Sequence, residues 1–309
     1  MAAARRLRPR RRSVVAGQAA AEAAQFAPVV PDDPSGAAFF DVDNTIMRGA
    51  SLFYLGRGLY RRGYFKTGDV ARMAWAQAQF VMGAENMEHM SEARSFALTF
   101  IQGRSVADLS AMTEEIFDAV MAGKVWPGTR ALTRVHLDQG QRVWLVTAAP
   151  VEIATVIAAK LGLTGAMGTV AEHVDGVYTG RLVGEVLHGP AKAEAVTALA
   201  AREGLDLARC AAYSDSANDI PMLEAVGDPC AINPDRELRG YARSHGWRVR
   251  DFRRRRRVTQ LAVAASAGAA IGGAAAGAAA VRARRTRSDV LEEAGRASAG
   301  WSRVPGLPG

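Results

Sequence analysis

The hydrophobic pattern along the chain changes period several times, and each change marks an element. Ala37-Ala38-Phe39-Phe40 is an unbroken apolar run that leads into Asp41-Val42-Asp43-Asn44-Thr45. An apolar run ending in acids reads as a buried strand, over 37–42, delivering charge to the carboxyl edge of a sheet. From 51 to 125 apolar positions recur at helical spacing, over Leu52 to Tyr60, Thr67 to Met82, Met87 to Ile101 and Val106 to Met121. Gly63, Gly83 and Gly103 punctuate these helices. After Trp126-Pro127-Gly128 the pattern alternates: helix 129–139, strand 141–147, helix 151–161, strand 166–170, helix 190–204, strand 210–214, helix 219–226, strand 229–232, helix 235–245 and strand 247–251. Val174 to Leu182, with Asp175-Gly176 inside it, predicts a hairpin. Strands alternating with helices imply an α/β fold, a doubly wound and mostly parallel sheet with helices on both faces. The helical stretch 51–125 is then a cap inserted after the first strand, and the core is made of 36–50 and 126–252.

Composition refines the ends. The net charge is +8 over 309 residues, but it is unevenly placed. Residues 1–35 hold six Arg against three acids, and residues 252–309 hold eleven Arg against three acids, which leaves 36–251 at −3. A mildly acidic core with basic tails argues against a specific nucleic-acid-binding fold. Residues 1–35, with an arginine cluster, alanines and three prolines, read as a disordered basic arm. The tail 253–309 contains 24 uncharged residues, Val258 to Val281, flanked by arginines. That length exceeds the roughly 20 residues needed to cross a bilayer. Twelve Ala and four Gly make it a weakly apolar segment, so a membrane span over 258–281 and a soluble alanine-rich tail both stay open. The denser arginine block on its N-terminal side favours a cytoplasmic core if the segment spans. Cys210 and Cys230 form no CxxC pair and read as buried free thiols.

The chemistry gathers where strands end. Asp41 and Asp43, two residues apart, point to the same face of a strand. Two carboxylates forced together cost energy unless a cation or a proton compensates them. A strand simply ending in a turn is the plainer reading, since Asp and Asn favour turns. A second apolar run, Val143 to Val146, ends in Thr147, and Gly189-Pro190-Ala191 opens a helix with Lys192. A third run, Ala211 to Ser214, ends in Asp215 and, past Asn218, Asp219. Asp215 and Asp219 also fit an acid pair at a helix N-terminus. The five histidines are scattered without metal-ligand spacing, and neither Ser214 nor Ser216 has a His partner for a hydrolytic triad.

In this order the four segments resemble the haloacid dehalogenase superfamily of phosphotransferases. Asp41-Val42-Asp43-Asn44-Thr45 matches its first motif, Thr147 the second, Lys192 the third, and Ser214-Asp215-Ser216-Ala217-Asn218-Asp219 the fourth. The resemblance covers roughly 37–251. The long helical insert is similar to subfamily IB, which contains phosphoserine phosphatases. The resemblance implies Mg²⁺-dependent hydrolysis of a phosphomonoester through an aspartyl-phosphate. Asp41 is then the nucleophile and Asp43 the general acid and base. Asp41, Asp43, Asp215 and Asp219 form the metal set, with Asp219 also able to orient Lys192. Thr147 and Lys192 meet the phosphoryl oxygens, and Asn218, Arg94 and Arg48 are candidates for binding the rest of the substrate.

Two departures bear on that substrate. Phosphoserine phosphatases carry a glutamate shortly after the first motif, whereas Ile46-Met47-Arg48-Gly49-Ala50-Ser51 contains no acid. Their second motif reads Ser-Gly-Gly, and here Thr147-Ala148-Ala149 stands in its place. L-phosphoserine is therefore not expected to be the best substrate. A membrane-associated phosphatase of a lipid phosphate or glycerol phosphate is one alternative, motivated by the basic tails and 258–281. An inactive scaffold with the same fold is another, opposed by the intact motifs.

Overall fold

The computed structural model describes residues 9–24, 33–64 and 101–253. Eight strands are present among them: β1 (Ala37–Phe40), β2 (Arg142–Pro150), β3 (Gly165–Thr169), β4 (Ala171–Val174), β5 (Val177–Leu182), β6 (Ala211–Ser214), β7 (Asp228–Ile232) and β8 (Arg248–Arg250). Six of them form one sheet in the order β3-β2-β1-β6-β7-β8, with every neighbouring pair parallel. β4 and β5 form the expected hairpin, an antiparallel pair closed by Asp175-Gly176. The α-helices among the described residues are α1 (Pro9–Ala23), α2 (Ser51–Arg61), α3 (Val106–Ile116), α4 (Pro127–Asp138), α5 (Val151–Leu161), α6 (Pro190–Glu203), α7 (Ile220–Glu224) and α8 (Arg236–Ser244).

The sheet is buried on both faces, and the side-chain alternation shows it. Ala38, Phe40, Val143 and Leu145 join one apolar cluster with Ile153 and Ile157 of α5 and with Leu55 and Ile116 from the cap. Their neighbours Ala37, Phe39, Trp144 and Val146 join a second cluster with Val196 and Leu199 of α6. A strand with both faces covered reads as a continuous apolar run, which is why β1 has the sequence Ala-Ala-Phe-Phe.

The connections fix where a ligand can sit. From β1 the chain moves to β2 and β3 on one side, then crosses to β6, β7 and β8 on the other. The strand order therefore reverses between β1 and β6, and the crevice beyond the carboxyl ends of those two strands is the binding position of such sheets. Asp41 follows β1 and Asp215 follows β6.

Several expectations change in detail. The strand ending at Thr147 runs on to Pro150, because the sheet continues past a register shift in which Pro150 pairs with Thr169. The helix over Val106 to Met121 turns α-helical only to Ile116, then passes through a π-helical turn, Phe117–Met121, and a 3₁₀ turn, Ala122–Lys124. The arm 1–35 is not wholly disordered, since Pro9–Ala23 is the helix α1. Ala16, Ala20, Ala21 and Ala24 are buried, and these weakly apolar residues gain their burial only from a partner of matching small surface. Of the cap, the stretches Thr67 to Met82 and most of Met87 to Ile101 lie outside the described residues, as does the segment 258–281. Among the described residues no helix is long and apolar enough to cross a membrane. Cys210 and Cys230 are both free and buried.

Leu145 is fully buried at the centre of the sheet. Leu145→Ala should therefore lower unfolding free energy by about 2–5 kcal/mol, because it removes transfer energy and leaves a cavity. Urea denaturation checks this, and a loss below about 1 kcal/mol would contradict the packing described here.

Candidate active site

Asp41 is the first residue beyond β1, and its backbone N–H still follows the sheet, donating to Tyr213 O at 2.9 Å. The chain then turns: Ile46 N and Met47 N both donate to Val42 O, at 3.0 and 3.1 Å. That turn lifts Asp43 above the sheet edge while Asp41 stays buried. The Asp43 Oδ1 accepts a hydrogen bond from Ser51 N at 2.8 Å. Ser51 opens α2, so Asp43 satisfies one of the free N–H groups at the start of the first cap helix.

Lys192 comes to the same place from α6. Gly189 precedes this helix at φ 54°, ψ −123°, and Pro190 occupies its first turn. A positive φ suits glycine, and proline is tolerated where no helical N–H is needed. Lys192 is 3% exposed. Its Nζ donates to Asp41 Oδ1 at 2.6 Å and to Asp219 Oδ2 at 2.7 Å. Ser214 Oγ gives a second hydrogen bond to Asp219 Oδ2, at 2.7 Å. Asp219, expected among metal donors, thus has that oxygen engaged by two donors and acts on Lys192.

Thr147 is buried, and its Oγ1 accepts from Ala149 N at 3.2 Å, leaving its own hydroxyl proton to give. Asp215 is half-buried, and its carbonyl accepts from Asp235 N at 2.8 Å. Asn218 is exposed, with its Nδ2 donating to Ser216 Oγ at 3.2 Å. Arg48 does not stand free at the mouth of the site. Its Nη2 donates to Gly123 O at 2.6 Å, its Nε to Lys124 O at 3.4 Å, and its guanidinium lies 5.6 Å from the Trp126 ring centre. Because Met47 also bridges to Val125, Arg48 ties together the two linkers that lead into and out of the cap. Arg94 lies outside the described residues.

Three residues support the site, and two of them, Asp235 and Asn233, lie outside the four motifs. Ser214 holds Asp219, as above. Asp235 caps α8 through Leu238 N at 2.7 Å and receives Ala217 N at 2.9 Å, bracing the loop after β6. Asn233, fully buried, donates from Nδ2 to Asn44 O at 3.0 Å and accepts from Phe252 N at 2.8 Å. A polar residue at each strand end was the available hint.

The charges do not balance. Burial pushes the Asp41 carboxyl up to about 7, with Lys192 opposing the rise and Asp219 adding to it. Burial likewise raises Asp215 to about 7, aided by Asp219, opposed by Lys192 and aided again by Asp235. Burial alone would lower Lys192, but Asp41 and Asp219 outweigh it and hold the ammonium firmly protonated. One ammonium among three carboxylates leaves a buried site short of positive charge. Hard carboxylate oxygens at such a place fit Mg²⁺. Among the described residues no three His, Cys, Asp or Glu side chains converge as a metal cage.

A parallel doubly wound sheet with a lysine-bridged acid cluster at its switch point fits an α/β enzyme of the phosphoryl-transfer class. The chain belongs to the haloacid dehalogenase-like hydrolase family, whose pattern it matches over residues 38–224. It is an enzyme, a phosphoric monoester hydrolase. It is 56% identical over 237 residues to a Mycobacterium tuberculosis protein named phosphoserine phosphatase SerB1, covering 76% of this chain and 77% of that one. It is 36% identical over 228 residues to the inhibition of morphological differentiation protein of Streptomyces azureus, covering 74% and 82%. Among solved structures, a protein of unknown function from Bordetella pertussis aligns with a TM-score of 0.63 at 32% identity, covering 70% of this chain and 98% of that one.

The raised carboxyls carry a stability signature. In metal-free protein Asp41 and Asp215 titrate near 7 instead of 3.8, so the folded chain holds extra protons between those values. Their contribution to stability is then present at low pH and is lost as pH rises from 3.8 to about 7. Mg²⁺ should raise the melting temperature clearly at about pH 7.5 and little at about pH 5, since metal binding needs deprotonated ligands. Scanning calorimetry with and without Mg²⁺ checks this, and an equal effect at both pH values counts against it.

Proposed function

We propose that this phosphatase hydrolyses a small phosphomonoester in two steps on Asp41, with Asp43 moving the protons. The observation that carries the reading is the Lys192 bridge from Asp41 to Asp219 at the switch point, beside Asp43. In the first step an Asp41 oxygen attacks phosphorus in line. The bond from phosphorus to the leaving oxygen breaks, and Asp43 supplies the proton that oxygen needs. In the second step Asp43 takes a proton from water, the water oxygen attacks phosphorus, and Asp41 departs as carboxylate. Lys192 and the Thr147 hydroxyl face the charge on the phosphoryl oxygens. When bound, Mg²⁺ would add positive charge at the phosphoryl group, held by Asp41, Asp215 and the main-chain carbonyl of Asp43. Asp219 orients Lys192. The cap, docked on Asp43 through Ser51 N, excludes water during the first transfer.

The mycobacterial relative's name makes L-phosphoserine the reference substrate. The residues argue against it as the best one. Ile46 and Met47 are buried, Arg48 is tied to the cap linker, and no acid stands between them and α2 to receive an ammonium group. Nothing among the described residues supports a lipid substrate, since the segment that motivated it lies outside them. An intact Lys192 bridge speaks against an inactive scaffold.

Asp41→Asn should drop turnover of an aryl phosphate below about 1% of the wild-type rate, because an amide cannot be phosphorylated. Circular dichroism should stay unchanged, and any higher residual rate removes Asp41 as nucleophile. In a panel of phosphoserine, glycerol phosphate, lysophosphatidate and other phosphometabolites, the highest kcat/KM should belong to a compound other than L-phosphoserine. Phosphoserine at the head of the panel would show that another group receives its ammonium.

A further inference from the structure

The helix that delivers Lys192 is itself held from outside the sheet. α1 runs alongside α6 in the same sense and touches it from the preceding loop to the last turn. Ser13 Oγ donates to Glu185 Oε1 at 2.6 Å. A Cβ built on Gly184 would lie 2.7 Å from Ala16 N, so α1 and the loop before α6 meet backbone to backbone. A Cβ on Gly17 would lie 2.6 Å from Glu194 Cβ and 2.8 Å from Ala195 N. At the far end Arg202 donates to Ala21 O. Ala16, Ala20 and Ala21 share one buried cluster with Ala191 and Ala195 of α6.

We infer that α1 is a brace that sets the position of Lys192, with Gly17 as its positioning residue. The inference rests on the role in phosphoryl transfer proposed above for Lys192. Glu194, the residue against Gly17, is two positions from Lys192 on the same helix. Apolar carbons settle about 3.5–4.0 Å apart, so a methyl group at Gly17 would push the two helices about 1 Å apart. Lys192 spans two short bonds, of 2.6 and 2.7 Å, to carboxylates on the sheet and in the following loop. It cannot keep both if α6 shifts by that amount. A misplacement of about 1 Å in a catalytic group can cost about 10²-fold in rate.

The test uses the full chain with Gly17→Ala and Gly17→Leu, alone and combined with Lys192→Ala. Expected is a loss in kcat of about tenfold for Gly17→Ala and more for Gly17→Leu, with KM within about twofold. In the Lys192→Ala background either Gly17 change should alter the residual rate by less than about twofold, because the group it displaces is gone. Ile157→Ala, in α5 on the opposite face of the sheet from α6, serves as a control that lowers the melting temperature and leaves kcat in place. If Gly17→Leu does not fold, Gly17→Ala alone decides. Wild-type kcat in Gly17→Ala, or equal losses in both backgrounds, overturns the brace. Full activity in Lys192→Ala alone would instead overturn the catalytic reading on which it rests, so the two failures are distinguishable.

Discussion

Three carboxylates meet a single ammonium at the carboxyl edge of this sheet, and much of the molecule serves to keep them there. In water such a group would scatter. Here β1 and β6 end side by side, and the strand order makes their ends the mouth of the crevice. Lys192 joins Asp41 to Asp219, Ser214 shares Asp219 with it, and Asp235 braces the loop that carries Asp215. Buried ion pairs stabilise a fold weakly or not at all once desolvation is counted. A site that gathers this much uncompensated negative charge is therefore better explained by what it binds than by what it stabilises.

The parts of the fold that were legible from the chain are those where burial is complete and local. β1 reads as a strand because both its faces are covered by apolar partners. The helix expected over 151–161 has those bounds, since a left-handed Gly162 stops it. Asp41 and Asp215 follow strand ends, Lys192 lies in the first turn of α6, and its side chain joins Asp41 to Asp219. What failed was non-local. The alanines of α1 are buried by Ala191 and Ala195 of α6, about 170 positions away, and alanine gives no periodic signal strong enough to announce that partner. Arg48 lies in the right segment for a substrate anion, and the backbone carbonyls of Gly123 and Lys124, more than 70 positions on, take two of its five N–H donors. Ser214 belongs to the fourth motif, but its hydrogen bond to Asp219 depends on the shape of the loop after β6, which no local pattern gives.

The two faces of the sheet divide the labour. One apolar cluster brings together α5, the cap helices α2 and α3, and the hairpin residue Tyr178. The other brings together α1, α6 and α8. The cap therefore packs on the face that carries the second motif, while the lysine helix and its brace occupy the opposite one. Asp41, on the strand between, is approached from both. Changes that loosen one layer need not disturb the other, which gives the substrate-facing side freedom to vary while the lysine side stays fixed.

The hydrogen bond from Ser51 N to Asp43 Oδ1 has a consequence for symmetry. The two oxygens of a carboxylic acid are chemically equivalent, and a lone acid in a cleft has no fixed sense of which one bears the hydrogen. An N–H donor removes that equivalence, because it needs a lone pair and so disfavours a proton on the oxygen it faces. With α2 in place, Oδ2 is the oxygen of Asp43 left to exchange a proton in the proposed reaction. The same contact that joins the cap to the core thus makes the two oxygens of the acid unequal.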